Sequence, residues 1–369
     1  MRTNAVLSYG ADSPSRIVEV ELGEPREGEI LVRLVASGIC HSDIVMKRVW
    51  DGFPGIAGTA PVVFGHEGSG VVQAVGKAVT RVSVGDHVLL SYASCRSCAA
   101  CVAGRPFYCE SFRLLNYKGS RPDGSTTMSA HGSPVFGSFF GQSSFAQHVI
   151  VAETNAVRVS ADCDLTVMAP FGCGVMTGAG AVFSTLALSD RDSLAVFGAG
   201  GVGLPAVMAA KAQGVSTIVV VDPIASRRDI ALEIGATHVF DPHVDDPVSA
   251  IRDVTGGGAV ASLETSARAD VVIQALDCLA AMGTCVALGF GTPEFPFTLS
   301  QVGRGRRLTS TNVGESDPHI MLPRLVEMHR TGQLPVEKLI SRYPFEEFER
   351  AVADAESGSA IKPVLIFSE

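Results

Sequence analysis

The chain has 369 residues, 46% of them hydrophobic and 18% charged, with 29 Lys+Arg against 38 Asp+Glu and a formal charge of −9. That length exceeds one ordinary core and, at about 150 residues per domain, points to two. The acidic balance without a basic run argues against nucleic acid or an anionic membrane as partner.

The first third reads as β-rich. Val/Leu-dense runs at Glu29 to Ala36, Gly68 to Val75 and Asp86 to Ser91 are strand-length and are punctuated by Gly, Pro and Asp. Between Cys109 and Phe145 the chain turns polar and Gly/Ser-rich, which predicts long loops, and a further strand is expected over Phe145 to Val151. From Asp192 the rhythm changes to strand–helix alternation. Strands are predicted at Ser193 to Phe197, Thr217 to Val221, His238 to Phe240, Ala261 to Glu264 and Gly283 to Leu288. Helices are predicted at Val202 to Ala212, Ala225 to Ile234, Val248 to Val254 and Asp270 to Ala280. Such repetition means βαβ units in a parallel, doubly wound sheet. After Ser310 the alternation stops; helices near Pro323 to Arg330 and Phe345 to Ser357 precede a strand at Pro363 to Phe367, a tail expected to rejoin the first domain. No apolar run of about 18 residues predicts a transmembrane helix, and the stretch Met1 to Leu7 does not predict a signal peptide.

Gly198-Ala199-Gly200-Gly201-Val202-Gly203 fits G-x-G-x-x-G between a predicted strand and a predicted helix. Gly198 permits the turn, Gly200 a close approach to a pyrophosphate, and Gly203 close helix–strand contact. Asp222, at the end of the next strand, is placed to accept from a ribose diol and to repel a 2′-phosphate, which favours NAD over NADP. Arg227 and Arg228 point the other way, because a nearby arginine can receive that phosphate.

Nine cysteines include the array Cys95, Cys98, Cys101 and Cys109, a C-x2-C-x2-C-x7-C spacing. Four thiolates saturate one Zn²⁺, which predicts a structural site stapling a long loop, with Arg96 and Arg105 offsetting its charge. Metal-bound rather than disulfide-bonded cysteine fits a reducing, cytoplasmic setting. Cys40, His66 and Cys173 each lie in a short glycine-flanked stretch: Gly38-Ile39-Cys40-His41-Ser42-Asp43, Gly65-His66-Glu67-Gly68 and Gly172-Cys173-Gly174. Two thiolates and a neutral imidazole would balance Zn²⁺ and leave a position open, although buried single side chains account equally well for each residue alone.

Gly65-His66-Glu67-Gly68-Ser69-Gly70 with Gly76, the four-cysteine array, Gly172-Cys173-Gly174 with Thr177-Gly178, and the strand-flanked glycine motif together resemble the zinc-dependent medium-chain alcohol dehydrogenases over nearly the whole chain. Two cysteines and one histidine are the set known for the catalytic zinc of alcohol dehydrogenase, so that ligand set rests on the resemblance. The resemblance implies an α/β chain with a GroES-like catalytic domain over 1–175, including a zinc lobe at 91–113. A Rossmann domain follows over 176–312, then a return to the catalytic domain over 313–369, with the active site in the cleft between the domains. It implies a catalytic zinc on Cys40, His66 and Cys173, with Glu67 and Asp43 behind it and Asp43 orienting His66. Ser42 would take the substrate proton, His41 and Lys362 would lie near the pyrophosphate, and Thr177 near the nicotinamide. Gly201, Val202 and Arg227 would also border the dinucleotide.

Phe139-Phe140-Gly141-Gln142-Ser143-Ser144-Phe145-Ala146 and the run Phe171 to Ala181 resemble the aryl-alcohol branch. Phe139, Phe140 and Trp50 are candidate walls of a pocket for a benzylic or allylic substrate, or ordinary core. Val45 stands where several relatives carry the histidine that ends the proton relay, which would then run through Ser42, ribose hydroxyls and water. The implied reaction is hydride transfer between a primary alcohol and NAD. Two alternatives are a glutathione-adduct formaldehyde dehydrogenase, with Asp51 and Arg113 binding the adduct, and a zinc-stabilised dinucleotide-binding protein without catalysis. The long segment between Cys109 and Cys173 resembles dimeric rather than tetrameric members, so a homodimer is expected.

Overall fold

The computed structural model describes residues 1–50, 61–291, 294, 296 and 298–368. The chain divides into two compact units, Met1–Cys173 with Asp317–Val326 and Leu339–Glu369, and Gly174–Ser316 with Glu327–Lys338.

In the first unit the strand Glu29–Gly38 is central, with alternate residues Ile30, Val32, Leu34 and Ala36 buried. It pairs antiparallel with Gly68–Val75 on one edge and with His148–Ala152 and the C-terminal strand Lys362–Ile366 on the other. Strands Ile340–Pro344, His87–Leu90 and Ala156–Val159 complete a seven-stranded sheet. A second sheet joins Arg2–Leu7 to Arg16–Leu22, then Met128–Ala130 and Ser133–Val135. The segment expected to be all loop therefore carries a hairpin at 128–135 and a helix, Phe112–Tyr117. That helix sits on a fixed frame: buried Asn116 bonds both the N–H and the carbonyl of Ala93 and also the carbonyl of Phe112.

The second unit holds six parallel strands in the order His238–Phe240, Thr217–Val221, Ser193–Phe197, Ala259–Glu264, Leu279–Ala287, Arg307–Ser310. Reversal of strand order at Ser193–Phe197 is the Rossmann arrangement, and it puts the ligand crevice at the C-terminal end of that strand. Its core is the continuous apolar face of Ala195, Phe197, Val219, Val221, Ala275 and Leu276. The helix expected at Asp270 to Ala280 is Ala269–Asp277, because the next strand already begins at Leu279. Near the C-terminus the helix Pro318–Arg330 begins five residues before the expected start, with Pro323 inside it. Residues 327–338 belong to the second unit, where Lys338 forms an ion pair with Glu233. Among the described residues no single helix is long and apolar enough to cross a membrane.

Candidate metal centre and dinucleotide site

Cys40 caps the helix His41–Val49, and Asp43, three residues on, returns its Oδ2 to accept from the Cys40 N–H at 3.0 Å. Asp43 Oδ1 accepts from Gly65 N at 3.1 Å and from His66 Nδ1 at 2.7 Å, with both His66 and Asp43 buried. A carboxylate only accepts, so Nδ1 carries the proton of this bond and Nε2 is the ring nitrogen left to face a ligand. Buried Nε2 has no hydrogen-bond partner among the described residues. Gly65 makes the bend with φ +92°, where a Cβ would approach Phe145 N to 2.6 Å. Cys173 follows the turn Ala169–Gly172, whose last residue lies so close to the strand His87–Leu90 that a Cβ would meet Leu90 O at 1.9 Å.

These turns bring the sulfurs of Cys40 and Cys173 and a ring nitrogen of His66 within 4.8 Å of one another. A hydrogen bond from Cys173 holds the Cys40 thiol well below the ordinary thiol range against the cost of burial, with the Lys362 and His66 charges helping. The same contact, with burial, pushes Cys173 up. Burial opposes charge on His66, but Asp43 and Cys40 more than offset it and raise its pKa. The cluster is thus a buried seat for positive charge made of two sulfurs and an orphaned nitrogen, and it fits Zn²⁺ with a position to spare. Behind it, Lys362 Nζ donates to both Glu67 oxygens at 3.0 Å and to Ile39 O at 3.3 Å. Burial pushes the Glu67 carboxyl up to about 7, with Lys362 opposing the rise.

An aromatic wall adjoins the cluster. The Phe140 ring stacks on His66 at 4.5 Å with 24° between planes, and Phe139 meets His66 edge-on at 5.8 Å. Tyr117 lies 5.3 Å and Phe112 6.4 Å from Phe140, both nearly perpendicular to it. Burial raises the Tyr117 phenol to about 12 and the nearby Cys173 sulfur adds to the rise, so its hydroxyl stays a donor.

In the second unit Gly198 turns at φ +100°, and a Cβ on Gly203 would meet Gly198 O at 1.9 Å, the close helix–strand contact the motif requires. No atom lies within 4 Å of where a Gly200 Cβ would stand, which leaves its backbone open to a phosphate. The helix Gly203–Ala212 starts just beyond; Leu204 N already bonds Gly200 O at 3.0 Å and Pro205 has no N–H, so it is the positive end of the helix dipole that faces the turn. A cavity of about 390 Å³ is lined by Gly198, Gly200, Asp222, Arg227, Thr265 and Arg268 among others. Asp222 is buried and accepts from Ala199 N at 2.7 Å and Ile224 N at 2.8 Å, leaving lone pairs for a ligand hydroxyl.

The sulfurs of Cys95, Cys98, Cys101 and Cys109 also lie within 4.8 Å of one another. Backbone N–H groups of Cys98 and Cys95 point at the sulfurs of Cys95 and Cys109, both at 3.3 Å. Bonds from the Ser97 and Cys98 backbone lower the Cys95 thiol to about 6. Such N–H groups favour thiolate, as metal binding needs.

Residues 26–161 match the alcohol dehydrogenase GroES-like domain family and residues 201–327 the zinc-binding dehydrogenase family. The chain is 42% identical over 359 residues to a geraniol dehydrogenase of Castellaniella defragrans, covering 96% of this chain and 95% of the relative. It belongs to the zinc-dependent medium-chain alcohol dehydrogenases. Its structure is also similar to the crystal structure of benzyl alcohol dehydrogenase from Acinetobacter calcoaceticus, with TM-score 0.94 and 33% identity over the full length of both. An S-(hydroxymethyl)glutathione dehydrogenase of Synechocystis is 31% identical over 372 residues, 99% of this chain and all of the relative. The chain is accordingly an oxidoreductase of the alcohol dehydrogenase type.

In this dehydrogenase the remaining residues singled out by the sequence have the following surroundings. Lys362 is buried against Glu67, because the C-terminal strand pairs with the end of Glu29–Gly38. Arg96, expected to offset the thiolate charge, instead grips Asp317 with two bonds of 2.7 and 3.1 Å. Arg228 bonds the Asp222 carbonyl and pairs with Asp241, whereas Arg227 lines the cavity. Trp50 is buried against Phe64 at 5.4 Å, and Phe64 in turn meets Phe139 at 5.1 Å, so it reaches His66 only through two other rings. Ser42 Oγ is 3.7 Å from Cys40 Sγ, His41 is exposed, and Val45 is half-buried on the same helix. Thr177 lies half-buried in the helix Gly174–Gly180. Asp51 lies outside the described residues, and Arg113 is exposed on the helix Phe112–Tyr117. Tyr117, Phe112 and Gln142 were not singled out as site residues. Only the aromatic spacing of Phe112 and Tyr117 beyond Cys109 hinted at the first two.

Proposed function

We propose that this chain interconverts a primary aromatic or allylic alcohol and its aldehyde with NAD: alcohol and oxidised dinucleotide give aldehyde, reduced dinucleotide and a proton. The observation that carries this reading is the wall of Phe139, Phe140, Phe112 and Tyr117 built against the His66 ring of a three-ligand cluster. Flat, polarisable rings favour a flat π-bearing substrate over a saturated chain. Relatives named for geraniol and benzyl alcohol support it.

Cys40, His66 and Cys173 would hold zinc, which would supply a Lewis acid able to make a hydroxyl far more acidic, as it lowers water to about 7. The residues of the chain do the rest. Asp43 holds the His66 ring through Nδ1 and so keeps Nε2 turned to the metal position. Ser42 Oγ, beside Cys40, takes the hydroxyl proton and hands it to solvent. Phe140 and Tyr117 exclude water from one side of the cluster. Asp222 holds the ribose diol and disfavours a 2′-phosphate, which is the support for NAD. The enzyme works as a homodimer in a reducing compartment such as the cytoplasm, which suits its nine free cysteines.

The test is dinucleotide reduction by the zinc-loaded protein with benzyl alcohol, geraniol, 1-hexanol and S-hydroxymethylglutathione, each with NAD and NADP. A kcat/KM at least tenfold higher for benzyl alcohol or geraniol than for hexanol, with NAD preferred, is expected. Preference for the glutathione adduct or for hexanol would overturn the substrate reading.

A further inference from the structure

We infer that Gln142 and Ser91 are positioning residues that together fix the spacing between the metal ligands His66 and Cys173. Residues 64–67 run beside 142–145 without forming a regular ladder. Phe145 N donates to Phe64 O at 3.0 Å and Ser144 N to Gly65 O at 2.9 Å. The ladder then fails, because Phe140, Gly141 and Ser143 take left-handed φ values of 50°, 67° and 49° that turn the backbone away. At that gap the Gln142 side chain takes over. Its Oε1 accepts from Gly68 N at 3.1 Å, and its Nε2 donates to His66 O at 2.9 Å and Ser91 O at 3.3 Å.

Ser91 carries the link onward. Its Oγ donates to Gly172 O at 2.6 Å, and Gly172 directly precedes Cys173. Ser91 itself is fixed by Asn155, whose carbonyl accepts from Ser91 N at 2.9 Å and whose Nδ2 donates to Ser91 O at 3.3 Å. Gln142 and Ser91 are both fully buried, so none of these bonds is shared with solvent. A short hydrogen-bonded bridge, His66 O to Gln142 to Ser91 to Gly172 O, thus joins two ligands more than a hundred residues apart in sequence. It acts on their main chain, whereas Asp43 acts on the His66 ring. The same loop sets the Phe140 ring over His66, so one clamp serves both the ligand and its aromatic wall.

Full-length protein carrying Gln142→Leu, Gln142→Glu, Ser91→Ala and the Gln142→Leu/Ser91→Ala pair tests the link. Zinc release to a chelator and the visible spectrum of the Co²⁺-substituted catalytic site are the readouts. Gln142→Glu keeps an oxygen for Gly68 N but has no donor for His66 O or Ser91 O, so it should behave like Gln142→Leu. Each single change should speed zinc release about tenfold and shift the Co²⁺ bands, as lost partners of metal ligands do, while the four-cysteine zinc is released at its usual rate. The double variant should be no worse than the worse single, since both cut one path. Wild-type Co²⁺ spectra and release rates, even with a lowered Tm, would reduce both residues to ordinary core and overturn the assignment, as would additive effects in the pair. Absence of zinc from the wild-type cluster would instead sink the proposed function, so the two failures are distinguishable.

Discussion

Asp43→Asn is the sharpest perturbation of the metal centre, because its size follows from counting lone pairs. Asp43 accepts three bonds in a buried site: Gly65 N and His66 Nδ1 on one oxygen, Cys40 N on the other. Asparagine has one acceptor oxygen. If that oxygen faces His66, the amide N–H₂ is turned on Cys40 N, donor against donor; if it faces Cys40, two bonds are lost. The cheaper case leaves one buried donor unsatisfied, about 1–3 kcal/mol, and also removes the charge behind the imidazole. We expect zinc affinity at Cys40/His66/Cys173 to fall about 10–100-fold, or about 1.4–2.7 kcal/mol. Competition with a chromogenic chelator measures it, and the four-cysteine zinc serves as the internal control. Zinc retention within twofold of wild type in a folded Asp43→Asn protein would show that this carboxylate does not support the metal site.

Cys98→Ser should release one zinc and lower Tm by several degrees while leaving catalytic zinc in place, because it breaks a four-sulfur staple; calorimetry with metal analysis checks this. Asp222→Ala should raise KM for NAD several-fold and narrow its advantage over NADP in steady-state assays, because it removes the ribose acceptor and unties the Ala199 and Ile224 N–H groups. Burial raises the half-buried Glu29 carboxyl, but the Arg121 bonds more than offset this and leave its pKa below 4.5. A pKa depressed on folding contributes stability above the unfolded value that is lost as pH falls through the folded one. Glu29→Gln should therefore flatten the fall in urea-measured stability below about pH 4.5 and lower stability at neutral pH.

The parallel unit was the more legible half. Its strands are buried on both faces, so Ser193–Phe197 and Thr217–Val221 read as unbroken apolar runs with the ends the structure has. Arg2–Leu7 and Arg16–Leu22 escaped because they form a peripheral sheet whose exposed positions carry arginine and glutamate, diluting the apolar signal. Cys40, His66 and Cys173 were legible as a set only through the family resemblance, and the glycines beside two of them, Gly65 and Gly172, are steric necessities of the turns that bring them together. Arg96 was placed by charge and Lys362 by resemblance, and the fold sets each against a carboxylate, Asp317 and Glu67. Gln142 gave no signal, since its role exists only where the left-handed turn at Phe140 opens a gap in the ladder beside His66.

Zinc counting paired with turnover bears most directly on the whole account. Purified protein should hold two zinc ions per chain and reduce NAD with benzyl alcohol. His66→Ala should hold one and reduce none, with its fold intact by circular dichroism. Undiminished turnover by His66→Ala, or by wild-type protein stripped of all zinc, would contradict it.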